Sequence, residues 1–304
     1  MDVRLRRYLL CILALIVSTV SLTDTSADST ATNVPVIFRD SFDGAPSSPE
    51  PLNSPNWDIT VHSRDRWTWY NIDPMEAQHG PDCSAPPATH PVRSYEDTVF
   101  RCRDHLMTAI NAGGFGMLQL TPNHLVDFSQ GEAVIRFDLS TLATSNRDSI
   151  SLMLTPYADH LQLPVINGNP RQGIRIEMNT GDPNQPTFTT LVIRDFVEQR
   201  VGINHITYSD FLTPSPTRRD TFEVRISRTH LKFGMPQYNY WWVDEPLADL
   251  GWDRGVVQFG HQSYNPTKCD GLCGPNTWHW DNVEISPALP FTQIRALARV
   301  ADPK

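Results

Sequence analysis

The chain has 304 residues, of which 39% are hydrophobic and 19% are charged. This composition excludes a disordered polyampholyte and allows one large domain or two ordinary ones. The net charge of −9 argues against nucleic acid or anionic lipid as a general electrostatic partner, and the 25 prolines favour a loop-rich β protein over a helical one.

The N-terminal segment has the pattern of a secretory signal peptide. A start rich in arginine precedes the apolar stretch Tyr8–Leu22, which is short for a membrane span, and small residues precede position 28. We expect residues 1–27 to be a signal peptide and residues 28–35 a linker. The protein is then secreted, to the extracellular space or the cell envelope, and keeps no membrane contact. An uncleaved anchor is the alternative.

Four cysteines follow this segment, and an even number in an exported chain indicates disulfides. We expect neighbours in sequence to pair, Cys83 with Cys102 and Cys269 with Cys273, among three connectivities. A zinc site is the alternative. Zinc motifs usually place two residues between paired cysteines, whereas three separate Cys269 from Cys273.

The first predicted strands are short. Val36–Phe42, Trp57–Val61 and Trp67–Tyr70 have strand character, and a charged turn separates the last two. Residues 71–98 then form a long, proline-rich irregular stretch that contains Cys83. A loop of this length in a compact domain is usually functional or covalently held.

From Phe115 onward the sequence repeatedly alternates apolar and polar residues. Strands are predicted over FGMLQL, EAVIRFDLS, SISLMLTPY, GIRIEMN and TFTTLVIRDF. In GIRIEMN, Ile174 and Ile176 share one face, while Arg175 and Glu177 share the other.

A predicted hairpin joins DTFEVRIS to HLKFG through Arg228-Thr229, and NYWWV, GVVQFGHQSY and TWHWDNVEIS follow as strands. In TWHWDNVEIS, strict alternation puts both tryptophans on one face. The opposite face carries His279, Asp281, Val283 and Ile285, and the last two of these mark the side of the core. Many short strands predict one all-β sandwich or jelly roll with long loops, over residues 36–286. Residues 287–304 are left as a C-terminal tail.

Several of these segments together resemble the concanavalin A-like lectin/glucanase superfamily. They are FRDSFDG with NWDIT, FEVRISRTHLKFGM, GVVQFGHQSY and WHWDNVEIS, which span roughly residues 36–286. The resemblance implies a concanavalin A-like β-sandwich whose first and last strands lie close together.

The same resemblance implies a structural calcium, because family 16 glycosidases often hold one with an aspartate of the last strand. Asp281 is then the candidate ligand, and Asp40, Asp43 and Gly44 are further oxygen donors if the termini meet. In the alternative interpretation, Asp281 binds loop amides beside the neighbouring strand.

Family 16 enzymes carry their paired carboxylates on one strand in the pattern Glu-x-Asp-x-x-Glu, which is absent from this chain. Glu177 is the nearest candidate for a catalytic residue. Arg175 beside it suits a nucleophile or an acceptor for sugar hydroxyls better than a general acid. The alternative is an exposed ion pair on the strand.

Aromatic and polar side chains that suit a sugar ligand are the remaining candidates, since sugar rings stack on aromatic planes and their hydroxyls take hydrogen bonds. The predicted ligand-binding residues are Trp67, Trp69, Tyr70, Arg175, Glu177, His261, Tyr264 and His279. Aromatic residues also commonly fill the core of a β-sandwich, and a lone histidine on a strand is often structural.

The sequence therefore predicts a monomeric, secreted protein that binds an extracellular or cell-wall polysaccharide on a concave sheet face. A divergent glycoside hydrolase or lyase with the same fold remains open. So does a structural surface module that binds no sugar.

Overall fold

The structure, a computed structural model, describes most of the chain beyond residue 35. The described residues are 36–43, 50–52, 54–63, 99–102, 104–110, 115–140, 147–162, 169–179, 187–202, 219–264 and 276–290. All of them fall within one compact unit, Pro35–Lys304. Trp67, Trp69, Tyr70, Cys83, Cys269 and Cys273 lie outside them, as do Gly44, the signal peptide and the linker.

This part of the chain is built from β-strands. In chain order they are β1 (Val36–Asp40), β2 (Glu50–Pro51), β3 (Trp57–Ser63), β4 (Val99–Cys102), β5 (His105–Ile110), β6 (Phe115–Pro122), β7 (His124–Asp127), β8 (Ala133–Ser140), β9 (Arg147–Pro156), β10 (Gln172–Asn179), β11 (Thr187–Arg194), β12 (Val197–Arg200), β13 (Arg219–Ser227), β14 (His230–Met235), β15 (Tyr240–Pro246), β16 (Arg254–Tyr264) and β17 (Asn276–Pro290). Two short 3-10 helices, Tyr157–Gln162 and Pro236–Tyr238, interrupt them. No helix among the described residues is both long and apolar enough to cross a bilayer.

The strands pair antiparallel in two layers. Sheet I has the order β12-β11-β10-β9-β16-β6-β3. Sheet II has the order β15-β14-β13-β8-β17, and the far edge of β17 pairs with β5 over its first part and with β1 over its second. Strand β7 pairs with both β16 and β17 and so joins the layers.

The core lies between the two sheets because alternate residues of each strand turn their apolar side chains inward. Phe259 of sheet I contacts Phe137 and Trp280 of sheet II, with ring centroids 5.5 and 6.0 Å apart. Phe188 of β11 contacts Phe222 of β13 in the same way, at 5.7 Å. The apolar alternation seen in the sequence is thus the pattern that brings the sheets together.

The predicted strands and the predicted hairpin are confirmed for the described residues. Strands β13 and β14 pair from Glu223–Gly234 to Ser227–His230, which leaves Arg228 and Thr229 as the two-residue turn. The first and last strands are neighbours, with Asp40 opposite Val283. Strand β17 continues to Pro290, past the predicted boundary at residue 286.

The predicted alternation along β17 is wrong at one point. Asn282 has a φ of 47° and forms a β-bulge, so the register against β8 shifts between Asp281 and Glu284. The extra residue reverses, for the rest of β17, which side chains point to the core and which point outward. Trp280 before the bulge and Val283 after it therefore both face the core.

Candidate functional site

The outer face of sheet I carries polar side chains near its centre. Its residues alternate with the core residues of the same strands, and those of neighbouring strands lie side by side. They include Leu191 and Thr189 of β11, Arg175 and Glu177 of β10, Met153 and Ser151 of β9, Gln258 and Gly260 of β16, and Gln119 and Thr121 of β6. We call this set the outer face of sheet I.

Much of this face is enclosed despite its polarity. Ser151 and Gln119 are each 6% exposed and Gln258 is 4% exposed. Buried polar side chains cost stability unless they are hydrogen-bonded. A polar face that is also enclosed is therefore a feature that requires a functional or structural reason.

Arg175 contacts two carboxylates on one side of the face. Its Nη2 lies 2.5 Å from Oε1 of Glu198 on β12, and its Nε lies 3.5 Å from Oε2 of Glu177. Asn169 accepts a longer hydrogen bond of 3.4 Å from Nη1. The guanidinium is thus held between two carboxylates.

Gly260 lies at the centre of the face and is buried. It lies opposite Gln119 on one side and Ser151 on the other. A Cβ atom added at Gly260 would lie 2.4 Å from Oγ of Ser151, too close for any other residue without a shift. The Ser151 hydroxyl therefore occupies the space that a side chain at position 260 would need.

The outer face of sheet II carries a longer series of ion pairs. Glu223 is fully buried and binds Arg136 and Arg225, the latter at 2.6 Å from Nε to Oε1. Burial raises the pKa of Glu223, but hydrogen bonds from both arginines hold it below its usual value. Glu284 continues the ladder to Arg39, at 2.8 Å.

A second polar cluster lies at one end of sheet II. Nδ1 of His279 is 2.8 Å from Nε2 of His105, whose Nδ1 is 2.8 Å from Oδ1 of Asp104. Arg219 contacts both Asp104, at 3.0 Å, and Asp281, at 3.4 Å. The chain of contacts joins the exposed Asp104 to the buried His279.

Burial dominates the electrostatics of this cluster. It lowers the pKa of His279 to about 3, with help from the nearby charges of His105 and Arg219. It raises the pKa of Asp281 to about 6, against the opposing effects of the Asn282 amide and Arg219. The pKa of His105 is also lowered, first by burial.

Comparison with known proteins finds similarity in structure only. No family model matches the chain, and no curated protein matches it. The structure is similar to the LamAcat protein of Zobellia galactanivorans, with 11% identity, a TM-score of 0.54, and coverage of 83% of this chain and 97% of that one. A LamA variant from Z. galactanivorans, solved with laminaritriose and laminaritetraose, matches with 9% identity, a TM-score of 0.52, and coverage of 82% and 97%.

The fold is the concanavalin A-like jelly roll. The two packed antiparallel layers, joined through β7, and these similar structures agree on it. At such low identity the similarity concerns the fold alone, so the chemistry of this jelly roll must be argued from its own residues.

Among the predicted ligand-binding residues whose side chains the structure describes, two lie side by side. Arg175 and Glu177 share the outer face of sheet I, as the alternation predicted. Tyr264 ends β16 and Cys102 ends β4, but the side chains of both lie outside the described part of the structure.

Two further predicted ligand contacts, His261 and His279, lie away from this face. His261 is fully buried and faces the core, with Nδ1 3.1 Å from the Thr108 hydroxyl. His279 lies on sheet II beside His105, away from Arg175 and Glu177. Neither histidine can contact a ligand on the outer face of sheet I, because strand alternation and sheet membership turn them elsewhere.

Calcium binding at Asp281 stays a prediction, and the described donors do not favour it. Asp40 already accepts hydrogen bonds from the Phe42 amide at 2.9 Å and the Trp57 indole at 2.7 Å. Asp281 faces Arg219 instead. Within the described residues, no group of three or more His, Cys, Asp or Glu side chains is arranged to hold a metal ion.

The sequence interpretation missed Ser151, Gln119 and Gln258. The signal was present in the alternation of FGMLQLTP and GVVQFGHQSY, where the glutamines occupy the positions opposite to the core. Glutamine on the exposed side of a strand is unremarkable in a sequence, and only the pairing of β16 with β6 and β9 places these three side chains together.

Proposed function

We propose that this protein binds a glycan on the outer face of sheet I and does not cleave it. The observation that carries the proposal is the polar pair Arg175 and Glu177, whose side chains remain 20% and 22% exposed on this face. Paired charges of this kind hydrogen-bond sugar hydroxyls. The LamA variant of similar fold was solved with two oligosaccharides, which supports the same class of ligand.

Binding is favoured over hydrolysis by the position of Arg175. Glycoside hydrolysis requires the scissile bond to lie between two carboxyl groups. Here the guanidinium occupies the space between Glu177 and Glu198, at 3.5 and 2.5 Å from them. We assign Glu177 the role of a hydroxyl acceptor that Arg175 holds in place. Secretion is part of the proposal and rests on the signal-peptide pattern alone.

The test is retention of the protein in native gels that contain polysaccharides, paired with an assay for released reducing ends. Glu177→Ala removes one hydroxyl acceptor and should weaken retention by about tenfold, the equivalent of one lost hydrogen bond to a charged group. Glu245→Ala is the matched control, because Glu245 is exposed on β15 of sheet II. Its retention should equal that of the wild type.

Two results would contradict the proposal. Release of reducing ends by the wild type, lost in Glu177→Gln, would make the protein a hydrolase. Failure of the wild type to bind any glycan in a broad panel would instead favour a structural surface module.

A further inference from the structure

The core contains a cavity between the two sheets, near one end of the sandwich. Its lining residues Leu139 and Met178 lie where β8 and β10 end, and Ile150 and Phe188 lie where β9 and β11 begin. Its volume, measured as the space open to the centre of a water-sized sphere, is about 20 Å³. The cavity itself is larger than this figure, because such a sphere extends beyond its centre, so a small molecule has room there.

Aromatic rings from both sheets surround the cavity. Six of its lining side chains are aromatic, and among them Phe137 and Phe222 of sheet II are stacked, with ring centroids 5.7 Å apart. Phe259 of sheet I contacts Phe137 edge-on, at 5.5 Å. Rings are rigid and pack in a few preferred geometries, so they cannot bend to fill a rounded space between them. The cavity therefore follows from the way in which these rings pack.

The wall of the cavity is apolar. Among the described residues that line it, only Ser151 and Trp280 carry an oxygen or nitrogen in the side chain. The Ser151 hydroxyl lies on the outer face of sheet I, against Gly260. Trp280 donates its indole N–H to the Thr108 hydroxyl at 3.0 Å. A trapped water needs about two to four polar partners, so a cavity of this kind favours an apolar ligand over water.

We propose that this cavity is a binding site for a compact apolar molecule, such as a dissolved gas or a short hydrocarbon. The site lies in the core and does not depend on glycan binding at the outer face of sheet I. The wall of a cavity lacks dispersion contacts on one side, and an apolar ligand supplies them. Strand ends open more readily than strand centres, so the position of the cavity gives a small ligand a path into the core.

Xenon is the probe, because it is a compact apolar atom that binds in cavities of proteins. The full-length protein, labelled at its methyl groups, is titrated with xenon under increasing gas pressure and followed by NMR. The methyl signals of Leu139, Ile150 and Ile176 should shift and then saturate, since these side chains line the cavity. The methyl signals of Val197, which is 68% exposed, should show no saturable shift.

Two variants are designed to fill the cavity, Ile150→Phe from sheet I and Leu139→Phe from sheet II. Each should abolish the saturable shift of the Ile176 methyl signals, because the larger side chain occupies the space that xenon needs. Ile37→Phe is the matched control, since Ile37 is 46% exposed on β1. Its response to xenon should equal that of the wild type.

A third variant, Ile176→Val, tests the site without a larger side chain. It removes one methyl group from the wall of the cavity. The signals of Leu139 and Ile150 should still saturate, but the xenon pressure at half-saturation should change by about twofold or more, because xenon meets a different wall.

Three results would overturn the cavity site. Wild-type methyl signals of the lining residues that do not saturate mean that xenon does not enter the cavity. Saturable shifts that persist in a folded Ile150→Phe or Leu139→Phe variant place the xenon elsewhere. If neither of these variants folds, an unchanged half-saturation pressure in Ile176→Val has the same meaning. None of these results bears on glycan binding, which the polysaccharide gels test separately.

Discussion

Burial sets the protonation of the residues near the start of β17. The pKa of Asp281 is raised to about 6, first by burial, so between pH 6 and 4 the folded state binds a proton that the unfolded state does not. Asp281 therefore makes the protein more stable as the pH falls through this window. The lowered pKa of His279, about 3, acts in the opposite direction below pH 6.5.

Asp281→Asn should isolate the first effect, because the histidines are common to both proteins. Between pH 4 and pH 7, the stability of the variant relative to the wild type should increase by about 1–3 kcal/mol, since the wild type must bury a charge only at the higher pH. Urea unfolding at the two pH values measures this difference. Asp195→Asn, at an exposed turn, is the control and should show no such change. A pH-independent difference for Asp281→Asn would disprove the assignment.

At the scale of the strand, one inserted residue decides which side chains of β17 reach the core. The bulge at Asn282 allows Trp278 and Trp280 to share the core with Val283 and Ile285. Asn282 adopts a left-handed conformation, which asparagine tolerates better than most residues. Its side chain donates to Oδ2 of Asp138 at 2.8 Å and ties the bulge to β8.

Asn282→Val should lower the free energy of unfolding by about 1–2 kcal/mol more than Asn282→Gly. Both variants lose the hydrogen bond to Asp138, but only valine is strained at positive φ. Chemical denaturation of the two variants measures the difference. Equal stabilities would mean that the left-handed conformation at residue 282 is not present in solution.

At the scale of the whole molecule, the two sheets depend on one shared core. Phe259 of β16 contacts Trp57 in its own sheet and both Phe137 and Trp280 across the interface. Neither sheet could bury its apolar face without the other. The outer faces differ in their polar groups. Both carry ion pairs, but sheet I also has two amide oxygens, of Gln119 and Gln258, without partners among the described residues.

Phe259→Ala should destabilise the protein by about 3–5 kcal/mol, in a single unfolding transition, because it opens a cavity between the sheets. Phe196→Ala is the matched control, since Phe196 is 59% exposed at a turn. Thermal or urea unfolding compares the two. A loss below about 1 kcal/mol for Phe259→Ala would contradict a common core.

The sequence by itself determined the all-β class, most of the long strands, the hairpin at Arg228-Thr229 and the shared face of Arg175 and Glu177. Each depends on the two-residue period of a strand or on a turn, and both are local properties of the chain. The neighbouring first and last strands followed from the family resemblance.

Only the tertiary structure decided which outward-facing residues meet. The pairing of β16 with β6 and β9 places Gln258 and Gly260 beside Gln119 and Ser151, although β6 lies far from β16 in the chain. It also turned His261 into the core and put His279 on the other sheet. Register and sheet membership arise from contacts between distant segments, so alternation within one strand contains no information about them.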